Sequence, residues 1–243
     1  NALSLSTGND KSQSYISVAT TNATGIMPNN DYDRYNFSFR NTTNFLNNKF
    51  ILDTSANYII QNDKNMVSQG QYFNPLTSLY LFPRGEDFSD VAVYERYDDL
   101  SGVNTQYWPY GDLGGVSSQN PYWIMNRMNR ENDRRRYKLA ASLQYNIIEG
   151  LNVQGRVSID NTESKYTEKF HAGTVGNFAG PKGRYKEENR LDRQVYADVL
   201  ANFNKTFNEF NVTANLGASI KDLRMELTSL HGDLNNVTNH FTI

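Results

Sequence analysis

The side chains best equipped to recognise a ligand fall in a stretch that has no regular pattern. Trp108, Tyr110, Tyr122 and Trp123 lie there. Large rings of this kind can stack on sugar rings or anchor a covering protein, since each offers a wide apolar face with a polar edge. The alternative is that they build a small core for the stretch itself, as compact loops do. The acidic pairs Glu86-Asp87 and Asp98-Asp99 do not specify a hydrolase, because glycoside cleavage needs two carboxyls held at a set separation across the scissile bond. A calcium loop would need a denser run of oxygen ligands. Solvated loop charges are the expected reading.

His171, His231 and His240 have no metal-like spacing and no cysteine beside them. No Ser, His and Asp arrangement suggests a nucleophilic triad, and the glycines from Gly111 to Gly115 lack the strand, helix and lysine of a phosphate loop. The sequence therefore predicts no catalytic residue, no metal and no cofactor, so not an enzyme. One basic cluster stands out, Arg134, Arg135 and Arg136 following Asp133. Guanidinium groups pair bidentately with phosphate, so the cluster is a candidate lipopolysaccharide contact at the outer rim of a membrane protein. It reads equally well as a solvated strand end or a loop anchor.

What must position these residues is legible from Arg134 to Asp160. Tyr137, Leu139, Ala141, Leu143, Tyr145 and Ile147 alternate with Lys138, Ala140, Ser142, Gln144 and Asn146. After Glu149-Gly150 the alternation restarts with Leu151, Val153, Gly155, Val157 and Ile159 against Asn152, Gln154, Arg156, Ser158 and Asp160. A period of two with a two-residue break is a hairpin with one apolar and one polar face. Its arms are longer than the usual strand of a soluble sheet, and about ten tilted residues cross the ~25 Å apolar band of an outer membrane.

Composition agrees. Of 243 residues, 38% are hydrophobic and the mean hydropathy is -0.68, which is lean for a core buried on two sides but suits strands that need apolar residues only at alternate positions. The 16 Tyr and 13 Phe suit strands and interfacial girdles. A net charge of -2 gives no nucleic-acid surface, and zero cysteines remove thiolate and disulfide chemistry. No charged and apolar leader opens the chain, which starts inside an alternation at Leu3, Leu5 and Thr7; a mature or internal piece is the expectation.

The same unit repeats along the chain. Residues 2 to 7 read as a strand end, followed by strands over 13 to 24, Asp31 to Leu46 and Phe50 to Gln61. Alternation then lapses over 63 to 133, is lost again over 171 to 192, and ends with a further loop beginning over 225 to 243. Between the last two lie strands from Arg193 to Phe207 and from Phe210 to Lys221. Asn47-Asn48, Glu149-Gly150 and Asn208-Glu209 are tight turns. Short turns on one side and long connections on the other are the habit of outer-membrane barrels, whose long loops are extracellular. Asn74-Pro75 and Asn120-Pro121 each predict a capping residue and first-turn proline of a short helix within the longest connection.

In order and spacing the chain resembles the SusC/RagA family of TonB-dependent outer-membrane transporters of Bacteroidetes. The residues that carry this are Leu3-Ser4-Leu5-Ser6 and Ser14-Tyr15-Ile16-Ser17-Val18, then Gly25-Ile26-Met27-Pro28-Asn29 with Asp33-Arg34-Tyr35-Asn36. Asn120-Pro121-Tyr122-Trp123 ahead of Asn132-Asp133-Arg134, Ala172-Gly173-Thr174, Gly183-Arg184-Tyr185 and the strands Leu151 to Asp160 and Phe210 to Ser219 follow. The resemblance implies an all-β fold, an antiparallel transmembrane β-barrel portion of about eight strands within a plugged barrel of about twenty-two. It implies import of oligosaccharides or oligopeptides, a SusD-like surface lipoprotein as lid, and a TonB complex engaged through a part of the protein outside this sequence. Outer-membrane lipid and lipopolysaccharide are the surroundings. The competing expectation is a self-contained small outer-membrane barrel or a soluble β-rich module that binds glycans or serves adhesion.

Overall fold

The computed structural model describes residues 1–67 and 70–242. One antiparallel sheet of eight strands dominates it, in the order β1 (Ala2–Gly8), β2 (Ser12–Thr24), β3 (Asp31–Phe45), β4 (Phe50–Lys64), β7 (Met128–Ile148), β8 (Leu151–Phe170), β9 (Arg184–Phe207) and β10 (Phe210–Asp233). Within the connection between β4 and β7 lie α1 (Pro75–Leu81), the small hairpin β5 (Glu95–Asp98) with β6 (Val103–Gln106), and α2 (Pro121–Arg127).

Directly paired residues of an antiparallel sheet share a face, so the register shows how the alternation adds up. Leu5, Ile16, Phe39, Ala56, Leu139, Ile159 and Val195 form one continuous apolar row across seven strands. On the other face Gln13, Thr42, Asp53, Ser142, Arg156, Asp198 and Ser219 form a polar row. Ion pairs knit that polar face: Arg40 to Asp53 at 2.8 Å, Arg136 to Asp160 at 2.5 Å and Arg156 to Asp198 at 2.7 Å. On the opposite face Leu139, Leu143 and Val157 stand 46%, 43% and 47% exposed.

The apolar band runs at a slant to these rows. The row through Val18, Phe37, Tyr58 and Tyr137 becomes polar at Asn161, Arg193 and Arg224. The row through Asn41 and Thr54 becomes apolar at Ala141, Val157, Ala197 and Ile220. A band set by a flat membrane cuts obliquely across strands that tilt, which is the geometry of a barrel wall.

Short turns occupy one end of the sheet and the long connections the other. At the turn end, Leu46, Asn47 and Asn48 take left-handed conformations, and Asn208 does likewise. Gly150 has φ +84°, and a Cβ there would stand 2.4 Å from the Asn204 carbonyl oxygen, so only glycine lets this turn lie against its neighbour. Phe45, Phe50 and Tyr145 stack beside these turns at ring separations of 5.3 and 4.6 Å, as a girdle requires.

Three boundaries differ from the sequence reading, all in one direction. The connection expected over 63 to 133 occupies 65–127; that over 171 to 192 occupies 171–183; and β10 runs to Asp233, through the start of the loop expected from residue 225. Residues such as Asn132 to Arg135 and Glu187 to Arg190 are polar on both faces, which erases the hydropathy alternation. The backbone ladder persists because it needs only a partner strand, not an apolar face. β9 and β10 contain 24 residues each, roughly 80 Å at ~3.3 Å per residue, against a ~25 Å apolar band. Both helices expected from the Asn-Pro pairs are present, with Asn74 Oδ1 accepting from Leu76 N and Asn120 Oδ1 from Tyr122 N.

Candidate functional site

At the loop end the connections fold together into a cap. Its core is Trp123, Ile124, Met128, Phe170 and Ala179, with Phe73, Tyr94 and Phe178 packed against it. Met128 and Phe170 are paired residues of β7 and β8, on the same face as Arg134 and Arg136; the cap therefore rests on the polar face. Asn29 of the connection 25–30 donates to Asn126 Oδ1 at 2.7 Å. The segment beyond β10 is tied in as well: Asn239 Oδ1 accepts from Ala172 N at 2.7 Å and Lys182 Nζ donates to the Asn235 and Asn236 carbonyls. Gly173, with φ +90°, lies so close to Thr105 of β6 that a Cβ would stand 2.5 Å from its Cα, which seats 171–183 directly on the small hairpin.

The four aromatic candidates separate into two places. Trp123 is fully buried and its indole N–H donates to Thr174 Oγ1 at 3.0 Å; it is a core residue, not a contact residue, because α2 turns it inward onto Met128 and Phe170. Trp108, Tyr110 and Tyr122 come together instead with two rings the sequence did not single out, Phe82 and Phe88. Phe82 lies 4.8 Å from Tyr110 and 5.1 Å from Phe88, Trp108 lies 5.2 Å from Tyr110, and Phe88 lies 5.8 Å from Tyr122, centroid to centroid. All five are half-buried. Phe82 and Phe88 were legible only as loop phenylalanines, since nothing local announces that a chain reversal brings them to Trp108.

Asn120 holds the two halves of the cap together. It is fully buried, and besides capping α2 it donates through Nδ2 to the carbonyls of Val91 and Tyr107, at 2.8 and 2.9 Å. Replacing it with alanine removes the cap and leaves two buried acceptors unpaired, an expected loss of about 1 to 3 kcal/mol. Hydrogen exchange at residues 91–107 in the Asn120→Ala protein checks this, with greater protection loss there than in the sheet as the expected result.

The acidic pairs divide by role. Asp87 accepts from Ser89 N, and Asp98 from Leu100 N and Ser101 N; the Ser89 backbone hydrogen bond holds the Asp87 carboxyl below the usual range, and the Ser101 hydroxyl, with the two backbone groups, does so for Asp98. The side chains of Glu86 and Asp99 make no hydrogen bond or ion pair among the described residues. A pair the sequence did not reveal joins the small hairpin to α2: Arg127 Nε and a terminal nitrogen donate to the two Glu95 oxygens at 2.7 and 2.8 Å. The hydrogen bond from Arg127 lowers the pKa of Glu95. No cluster of His, Asp or Glu among the described residues has the geometry to hold a metal ion.

His171 lies 5.0 Å from the Phe241 ring, and burial, with the nearby Arg127 charge, pushes its pKa from 6.5 down to about 4. A base whose folded pKa is depressed favours the neutral form in the fold, so its contribution is complete above 6.5 and is lost as pH falls from 6.5 towards 4. Glu95 adds to the loss further down, as pH falls through its own depressed value. Acidification from pH 7 to 4 is expected to loosen the cap. Proteolysis of the cap against pH measures this, and His171→Phe should flatten the part of the curve between 6.5 and 4.

The basic cluster is not brought together. Strand alternation sends Arg136 to Asp160 and Arg134 to Ser164 on the polar face, at 2.8 and 3.4 Å, while Arg135 takes the parity of Tyr137 on the apolar face. Three successive residues of a strand cannot share a face. The structure therefore does not bring the three arginines together on one face.

The arrangement is an arc of antiparallel barrel wall whose polar face carries a folded loop cap. No protein-family model matches the chain, and no curated protein matches it in sequence. Its fold does match solved structures. The RagAB peptide transporter superposes on 100% of this chain with a TM-score of 0.68 at 14% identity, and the chain covers 26% of that one. The RagAB peptide importer in its 'open-open' state gives 0.66 at 14% identity with the same coverage. The ferric-catecholate import receptor Fiu from E. coli K12 gives 0.54 at 9% identity over 90% of this chain and 31% of that one. The chain thus has the fold of a SusC/RagA-type barrel segment and spans about a quarter of the length of the RagAB chains it matches.

Proposed function

We propose that this chain forms part of the wall and mouth of a TonB-dependent outer-membrane importer of the SusC type, taking up oligopeptides or oligosaccharides beneath a SusD-like lipoprotein lid. The observation that carries the proposal is the division of eight long strands into one apolar and one polar face, with a cap of loops seated on the polar side at one end only. In such a wall the apolar face meets lipid, the ion-paired face lines the passage, and the cap lies outside the cell, where long loops belong. The likeness in fold to a peptide transporter and a ferric-catecholate receptor supports import as the class of activity. No residue is assigned covalent chemistry; the work is gated passage, with energy delivered from the TonB complex through other parts of the protein.

A self-contained eight-stranded barrel would need its first and last strands to pair. Among the described residues β1 pairs only with β2, and β10 only with β9. A soluble module would leave the apolar face, Leu3 at 78% and Leu216 at 78% exposed, to water. The deciding measurement is the intact mass of the native polypeptide extracted from membranes in detergent. A chain several times larger than 27.8 kDa that travels with a lipoprotein is the expected result. A mass near 27.8 kDa in a protein that stays monodisperse without detergent would overturn the proposal.

A further inference from the structure

The five-ring cluster of the cap lies in a connection of net negative charge. The connection 65–127 carries seven carboxylates against three arginines and no lysine. Two of those arginines are occupied, Arg127 by Glu95 and Arg96 over the Tyr107 ring at 3.3 Å. The third, Arg84, makes no ion pair among the described residues. Glu86 and Asp90 flank Phe88, each two residues from it; the short 3-10 turn Phe88–Ala92 carries Asp90 and packs Phe88 between Phe82 and Tyr122. Neither carboxylate has a partner among the described residues. Desolvation raises the pKa of the Tyr110 phenol, and the two charges add to the shift. Trp108 is fixed edge-on, its N–H given to the Gly111 carbonyl and Ser118 Oγ at 2.9 and 3.3 Å, so that what it can offer a ligand is its ring.

Aromatic faces attract cations through their quadrupole, and the attraction is strongest for tryptophan and tyrosine. Free carboxylates beside those faces supply the complementary charge at longer range. We infer that Phe82, Phe88, Trp108, Tyr110 and Tyr122, with Glu86 and Asp90, form a capture site for a lysine or arginine side chain of a peptide. The inference rests on the importer reading and narrows its substrate class. It favours cationic peptides over glycans, because a cation gains both the quadrupole of the rings and the charge attraction of the two carboxylates, whereas a neutral sugar gains only hydrogen bonds from them. It also predicts discrimination against acidic peptides, which those carboxylates repel.

The test uses the full-length transporter in detergent and three peptides: Ala-Ala-Lys-Ala-Ala and its counterparts with norleucine or glutamate at the centre. Binding is followed by the emission of Trp108, with Trp108→Phe as the blank. The expected ranking is lysine above norleucine above glutamate, weakening with salt. In the Glu86→Gln, Asp90→Asn double variant the lysine peptide should lose about tenfold in affinity, equivalent to 1.4 kcal/mol, while the norleucine peptide is unchanged. Equal binding of the three peptides, or a variant that folds and keeps the lysine preference, overturns the inference. So does a response of Trp108 to a maltooligosaccharide or to a purified lid protein with none to any peptide. If the double variant fails to fold, the wild-type ranking alone decides. Failure of the importer reading is seen separately: a protein absent from the outer-membrane fraction refutes that reading, whereas an inserted protein without lysine preference refutes only the capture site.

Discussion

Leu143→Arg is expected to prevent stable insertion, at a cost of about 2 to 4 kcal/mol for a cation near mid-membrane. Leu143 lies in the middle of the apolar positions of β7, paired with Leu52 on one side and Gly155 on the other. Its side chain stands on the face that carries Leu139 and Tyr145, with no carboxylate among its paired neighbours to neutralise a guanidinium. One residue on, Gln144 is paired with Ile51 and Gln154 on the polar face. Gln144→Arg should therefore be tolerated, within about 0.5 kcal/mol of the parent as for ordinary surface changes. The comparison is made on the full-length protein by the fraction that reaches the membrane and resists unfolding in detergent without heating. Insertion of both variants to the same extent would refute the assignment of faces.

Trp123→Ala is expected to dissolve the cap while sparing the wall. Truncating a fully buried large aromatic typically costs about 3 to 5 kcal/mol, and here it also removes the donor to Thr174 Oγ1. The cavity would open between Ile124, Met128, Phe170 and Ala179, where α2 and the connections meet. The β7–β8 ladder does not depend on that side chain. Limited proteolysis should accordingly cut within 65–127 in the variant, with the strands still protected. Trp108→Ala, at the half-buried rim, should leave the cap resistant and weaken only ligand capture. If Trp123→Ala leaves the cleavage pattern unchanged, Trp123 is not the keystone of the cap.

The sequence by itself determined the wall. Alternation of period two through Tyr137 to Ile159, glycine or asparagine at the turns, and proline after asparagine at two helix starts are local signals. Each acts through backbone geometry that neighbours a few residues away enforce. For the same reason the sequence read too short the strands that pass beyond the apolar band: at Asn132 to Arg135 and Glu187 to Arg190 the only remaining signal is hydrogen bonding to a partner strand, which no local pattern records. Strand parity was also local, and applying it to Arg134, Arg135 and Arg136 would have separated them at once.

Tertiary structure alone decided the cap. Trp123 and Trp108 look alike as loop aromatics, yet one is buried against strands some residues distant in sequence and the other is left at a rim. Phe82, Phe88, Glu86 and Asp90 reach Trp108 and Tyr110 only because Asn120 binds the carbonyls of Val91 and Tyr107 and folds the connection back on itself. Such contacts are set by which segments close on one another over long sequence separations. That depends on the packing of the whole cap, and residue type or spacing does not encode it locally.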